Sequence, residues 1–175
     1  MQIWIAIIRT INQAAALVKM NTLIGNPYQF FSSGDAICVT TNGIVMRSKK
    51  AVMGAGNAEF VRDNFAGIDT KLANYLTRFG NRVFDLGGYE YGGKKLNIIS
   101  FPTKFDWKDN SDLELITKSA IELRDLLLKR EFRKVYLPIP GCSNGKLKWS
   151  QVAPVLDVLG DSVTVFTEKA KLFDK

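Results

Sequence analysis

The stretch Leu137-Pro-Ile-Pro-Gly-Cys-Ser-Asn-Gly-Lys-Leu-Lys-Trp149 constrains this chain more than any other. The apolar run from Val135 to Ile139 has the length of a buried strand, and Pro140, Gly141 and Ser143-Asn144-Gly145 stop it and open a loop. From Trp149 onward Val152, Val155, Leu156 and Leu159 recur at helical spacing. The chain therefore runs from a strand, through a glycine-bearing loop, into a helix. Two readings of that loop stay open. Backbone N–H groups at a helix N-terminus lack partners, the helix dipole is positive there, and glycine lets the backbone approach phosphate oxygens, so the loop can hold an anion. It can equally be an ordinary connection that uses glycine for turn geometry.

The remaining sequence alternates strand and helix patterns. Asn21 to Ile24 reads as a short strand closed by the turn residues Gly25-Asn26-Pro27, and Ala36 to Thr40 as an almost wholly apolar strand closed by Thr41-Asn42-Gly43. After a basic excursion from Arg47 to Lys50, the segment Val52-Met53-Gly54-Ala55-Gly56-Asn57 leads into a helix with Ala58, Val61 and Phe65 on one face. A second helix is predicted over Thr70 to Phe79, with Leu72, Tyr75, Leu76 and Phe79 inward and Gly80 as its stop. Val83 to Tyr91 and Leu96 to Phe101 read as a hairpin around Gly92-Gly93, and Pro102-Thr103-Lys104 ends it. Ser111-Asp-Leu-Glu114 has capping-box spacing and opens a helix to about Glu131, with Leu113, Ile116, Ala120, Leu123 and Leu127 on one stripe. Val163 to Phe166 is a final strand. Such alternation implies helices layered on a mixed sheet, whose ligands sit at the carboxyl ends of the strands. The loops after Thr40, Phe101 and Pro140 are then expected to converge on one cleft.

Length and composition narrow the chemistry. A chain of 175 residues suits one domain, taken as residues 20–175, preceded by an apolar extension, residues 1–19, of unassigned role. That extension lacks the basic start of a signal peptide, and no apolar run reaches spanning length, so a soluble cytoplasmic protein is expected, with no membrane partner. The absence of histidine excludes Ser-His-Asp and Cys-His catalysis. Cys38 and Cys142 are isolated, which makes neither a disulfide framework nor a zinc site, so neither metal nor cofactor is expected. The net charge of +7 favours anionic partners, nucleic acid among them, although the basic doublets are scattered as on a solvated surface.

Among the loop residues, Lys104 stands out. It follows an apolar strand and precedes Phe105 and Trp107. A lysine partly desolvated in such a place loses its proton more readily and can attack an electrophilic carbon; otherwise it is a surface lysine at a strand end. Asn42 is either a substrate-orienting amide or a turn residue. Met53-Gly54-Ala55-Gly56 lacks the third glycine of a dinucleotide fingerprint and the Gly-Lys-Ser/Thr of a phosphate-binding loop.

Four segments taken together resemble the macrodomain superfamily: Asp35 to Gly43, Val52 to Gly56, Ser100-Phe-Pro-Thr-Lys104 with Trp107 and Ser111 to Ile116, and Gly141 to Trp149. They are most similar to the branch of DNA ADP-ribosyl glycohydrolase antitoxins and terminal ADP-ribose glycohydrolases. The resemblance implies a three-layer α/β/α sandwich with a mixed, mostly parallel central sheet and a cleft for ADP-ribose or an ADP-ribosylated substrate. By position it implies that Met53, Gly54, Ala55 and Gly56 line the distal ribose and diphosphate. Gly141, Cys142, Ser143, Asn144 and Gly145 would wrap the phosphates. Asn42 with Thr41 would lie near the distal ribose, Thr103 beside Lys104, and Phe166 or a neighbour would stack on adenine. Asn26 stands where the family has an acid that reads adenine, so adenine recognition is expected to differ. Lys104 matches the lysine that the glycohydrolase branch uses on the anomeric carbon. Gly145 stands where the eukaryotic enzymes have an assisting acid. The implied function is an ADP-ribosyl glycohydrolase; a non-catalytic ADP-ribose module and an ADP-ribose 1″-phosphate phosphatase are the alternatives.

Overall fold

The computed structural model describes residues 20–174, and the extension 1–19 lies outside the described residues. Six strands form one sheet: β1 (Asn21–Ile24), β2 (Asp35–Thr41), β3 (Phe84–Tyr91), β4 (Lys94–Pro102), β5 (Val135–Pro138) and β6 (Thr164–Thr167), ordered β1-β6-β5-β2-β4-β3. All neighbours are parallel except β3 and β4, which form the expected hairpin. Among the described residues four α-helices cover the sheet: α1 (Gly56–Asn64), α2 (Ile68–Phe79), α3 (Leu113–Leu127) and α4 (Trp149–Leu156).

Side-chain alternation along the strands divides the core in two. Ile37 and Val39 of β2, Leu96 and Ile98 of β4 and Tyr136 of β5 face one side, where Val61 and Phe65 and then Leu72 and Leu76 of α2 meet them. Ala36 and Cys38, Ile99 and Phe101, and Val135 and Leu137 face the other, against Ile116, Ala120 and Leu123 of α3 and Val152 and Leu156 of α4. The result is a three-layer α/β/α sandwich with a mixed, mostly parallel sheet. Cys38 is fully buried, and that burial pushes its thiol far above the usual range.

Two sequence expectations need correction. Helix α3 is capped by Asp112, whose Oδ1 accepts from the Leu115 N–H at 2.7 Å, and it ends at Leu127. Ser111 is not the cap: its N–H donates to the Gly145 carbonyl at 3.0 Å, which holds it in the loop wall, and its hydroxyl makes no hydrogen bond to the helix. Phe79 is 48% exposed rather than inward. It is the last residue of α2 and lies over β3, an edge strand with no further neighbour to cover the ring. Its ring neighbours are Tyr75 at 6.1 Å and Phe84 at 6.2 Å, with the Arg78 guanidinium at 5.1 Å.

The loop between β2 and α1 is tied to α2. The Ala51 N–H donates to the Asp69 carbonyl at 3.0 Å, and Lys50 Nζ lies 3.0 Å from the Asp69 carboxylate. Burial raises the Asp69 carboxyl pKa, but hydrogen bonds from Lys50 and the Thr70 amide, with the charge of Lys50, outweigh it and hold the group below the usual carboxylate range. A depressed acid contributes stability above its unfolded value, about 3.9, and loses it as pH falls through the lower folded value. Lys50→Ala is therefore expected to lower the melting temperature at neutral pH by an amount worth about 1 kcal/mol or less, the lysine being half-exposed. The gap between variant and parent should close in melts run below the folded value.

Candidate functional site

The carboxyl ends of the five parallel strands share one rim. Thr41 pairs with Pro102, Pro138 with Phe166, and Ile24 with Thr167, so the loops that leave β2, β4 and β5 emerge side by side. They enclose two adjoining cavities. One, of about 270 Å³, is lined by Gly56, Asn57, Ser111, Gly141, Gly145 and Phe166 among others. The other, of about 650 Å³, lies against Thr41, Asn42, Gly54, Trp107, Asp109 and Lys146. Both are bounded by Thr40, Ala55, Thr103, Lys104 and Asn144. Size alone would favour a different groove, of about 830 Å³, at the opposite end of the sheet. There Arg130 is already paired with Asp85 at 2.9 Å and Arg133 with Asp35 at 2.8 Å, and the strands present their amino ends. The rim with the glycine loops is the better candidate, because it alone gathers the loops that follow the parallel strands.

Lys104 sits on the wall common to both cavities. Its Nζ donates to the carbonyls of Trp107 and Asn144, each at 3.4 Å, so the side chain bridges the β4 loop and the β5 loop. Beside it, Thr103 is buried; its N–H donates to the Thr41 carbonyl at 3.0 Å, and its carbonyl accepts from the Asp112 N–H at 2.9 Å. The β2–β4 pairing thus continues one residue past the strand and stops where Lys104 begins.

The loop from Gly141 to Gly145 requires glycine at both ends. Gly141 has φ +73°, and a Cβ there would come within 2.9 Å of Ile116 Cδ1 and 3.0 Å of Leu147 Cδ1. At Gly145 the space for a Cβ is occupied by the Ser111 hydroxyl, and the Gly141 carbonyl lies 2.6 Å from the same point. Between them Ser143 and Asn144 are exposed. Cys142 is turned away: its thiol donates to the Pro140 carbonyl at 3.4 Å, packs in the core, and is pushed up to about 11 by burial. It stays a thiol at neutral pH, and only its backbone is near the cleft.

Several other residues nominated by sequence are structural as well as, or instead of, cleft-facing. Asn42 lines the larger cavity, but its amide is engaged: Nδ2 donates to the Val52 carbonyl at 3.0 Å and Oδ1 accepts from the Ile44 N–H at 3.0 Å. Met53 is buried in the core, whereas Gly54, Ala55 and Gly56 are exposed along the cleft. Asn26 lines neither cavity; its Oδ1 accepts from the Tyr28 N–H at 3.2 Å and caps a short 3₁₀ turn, Pro27–Gln29. Phe166 lines the smaller cavity, largely buried.

The helix whose start opens on the cavity is not the one the loop sequence suggests. Helix α4 contributes no lining residue, and Trp149 packs instead on Phe173 at 5.2 Å. Helix α1 begins at the cavity with no side-chain cap, leaving its first-turn N–H groups for an occupant. Sequence reasoning also missed Asn57 and Ser111. Asn57 Oδ1 accepts from the Tyr28 hydroxyl at 3.0 Å, and its Nδ2 is buried without a partner, as are Thr41 Oγ1 and Ser111 Oγ. Three unpartnered polar groups around one cleft would be costly if nothing filled it.

No protein-family model matches the sequence, and no curated protein matches it either. Solved structures do match the fold. The macrodomain of Mycobacterium tuberculosis DarG superposes with a TM-score of 0.66 at 22% identity, over 86% of this chain and 100% of that one. The macrodomain of Thermus aquaticus DarG gives 0.66 at 24% identity, over 85% and 98%. Thermosipho africanus DarTG, solved in complex with ADP-ribose, gives 0.68 at 19% identity over 86% of this chain, which spans 42% of that one. At these identities the likeness is one of fold: this chain has the macrodomain fold. Among the described residues no helix is long and apolar enough to cross a membrane, and no group of three or more His, Cys, Asp or Glu is placed to hold a metal ion.

Proposed function

We propose that the cleft binds ADP-ribose and that the protein is a glycohydrolase, which removes ADP-ribose from a modified nucleic acid or protein acceptor. The observation that carries this reading is Lys104 Nζ on the wall shared by the two cavities, between the Trp107 and Asn144 carbonyls. Those carbonyls use two N–H groups and leave the nitrogen's remaining valence for the occupant. In a neutral amine that valence is a lone pair, able to attack the anomeric carbon of the distal ribose. The bond from that carbon to the acceptor breaks, its electron pair leaves with the acceptor, and water completes the hydrolysis by displacing the lysine. The uncapped start of α1 suits the diphosphate, since its first-turn N–H groups lack side-chain partners, and the Gly141–Gly145 loop lines the same cavity. The buried hydroxyls of Thr41 and Ser111 and the Asn57 amide supply further polar partners.

A second reading, a non-catalytic ADP-ribose module, draws on one observation: position 145 is a buried glycine and offers the cleft no acid beside Lys104. Calorimetric titration with ADP-ribose, followed by incubation with ADP-ribosylated DNA and ADP-ribosylated protein, separates the two. Binding with release of ADP-ribose is expected, and the substrate released names the acceptor. Binding without release would leave the module, phosphate release from ADP-ribose 1″-phosphate would make the protein a phosphatase, and absence of binding would overturn the reading.

A further inference from the structure

Lys104 is held from behind by a residue that no loop of the cleft contains. Asn81 follows Gly80, the residue that ends α2, and its Nδ2 donates to the Lys104 carbonyl at 2.9 Å. Strand β4 ends at Pro102, and the β2–β4 pairing ends with Thr103, so the Lys104 carbonyl has no strand partner. The Asn81 amide replaces the missing ladder contact. The next carbonyl, that of Phe105, accepts from the Gly43 N–H at 3.0 Å. Gly43 is itself packed on the asparagine: a Cβ there would stand 3.1 Å from Asn81 Nδ2 and 3.1 Å from the Phe105 carbonyl. Asn81 Oδ1 is buried without a partner, so the hydrogen bonding of this side chain is committed to the Lys104 carbonyl. Asn81 lines neither cavity, so it acts on an occupant only through Lys104.

We infer that Asn81 is a positioning residue for Lys104: with Gly43 it forms a strap that fixes the peptide carrying the lysine, so that Nζ meets the reacting carbon. The inference rests on the glycohydrolase reading above. Nucleophilic attack depends steeply on alignment, whereas the affinity of the cleft for the diphosphate and nucleoside does not depend on where Nζ points. The strap should therefore be visible in turnover and silent in binding.

The test compares the parent, Asn81→Ala and Gly43→Ala in three measurements: steady-state release of ADP-ribose from the substrate that the parent cleaves, calorimetric affinity for ADP-ribose, and melting temperature. For Asn81→Ala, kcat should fall by at least about tenfold, with KM and ADP-ribose affinity within about twofold of the parent. Gly43→Ala, which presses on the same strap from the other side, should give the same pattern in milder form and remains informative if Asn81→Ala folds poorly. Unchanged kcat in both variants would overturn the inference alone. Parallel losses of kcat, affinity and thermal stability would also overturn it, because they would mark a structural asparagine. A parent that binds ADP-ribose but releases none would overturn the glycohydrolase reading, and the inference with it.

Discussion

Replacing Lys104 with alanine is expected to slow the release of ADP-ribose by about 10²–10⁴-fold, the range that removal of a positioned catalytic group produces. ADP-ribose affinity should change far less, since the two contacts that the amine makes are to the protein's own Trp107 and Asn144 carbonyls. Lys104→Arg sharpens the result. Arginine keeps the positive charge but cannot become a neutral amine near neutral pH. An inactive arginine variant would identify the lysine as nucleophile, whereas a largely active one would make its role electrostatic. Full activity in Lys104→Ala, measured on the same substrate as the parent, would remove the lysine from the mechanism.

The second large effect is expected at Gly145. An added Cβ would collide with the Ser111 hydroxyl and come within 2.6 Å of both Ser111 Cβ and the Gly141 carbonyl. Neither neighbour is the far end of a flexible chain, so the loop must move. Overpacking of this kind costs about 1–3 kcal/mol, or a fall of roughly 2–10 °C in melting temperature for a domain of this size. The moved loop should also weaken ADP-ribose binding by more than about tenfold, because backbone N–H groups hold an anion only when they point at it together. Gly54→Ala is the control. It lies on the same cleft, but a Cβ there meets nothing within 4 Å, and its φ is not in the left-handed range. It should melt with the parent. If Gly145→Ala does so too, and binds as well, the loop is softer than its packing implies.

Periodicity carried most of the fold. The 3.6-residue stripe Ile116, Ala120, Leu123 and the nearly continuous apolar runs of β2 and β4 were legible because burial selects for them directly, and each is a local pattern. The errors fell where two local patterns competed. Ser111 and Asp112 both suit a helix cap, and the choice was made by the Gly145 carbonyl, which lies 34 residues further along the chain and takes the Ser111 N–H. Phe79 fits the inward stripe of α2 by spacing, yet only the sheet order reveals that its neighbour β3 is an edge.

For the cleft, the division follows from the same cause. The residue types at the ends of β2, β4 and β5, with their glycines, threonines and Lys104, were readable because turn chemistry and strand ends are encoded within a few residues. By itself the sequence determined which loops would leave the carboxyl ends of the strands, and its lack of histidine removed histidine-based catalysis from these residues. Only the tertiary structure decided which side chains of those loops face the cleft. It turned Cys142 and Met53 into the core, engaged both ends of the Asn42 amide, brought Asn57 and Ser111 to a cleft that their own surroundings do not announce, and set Asn81 behind Lys104. Side-chain direction depends on partners distant in sequence and on buried polar groups finding, or lacking, a hydrogen bond, and neither is written in any short stretch of the chain.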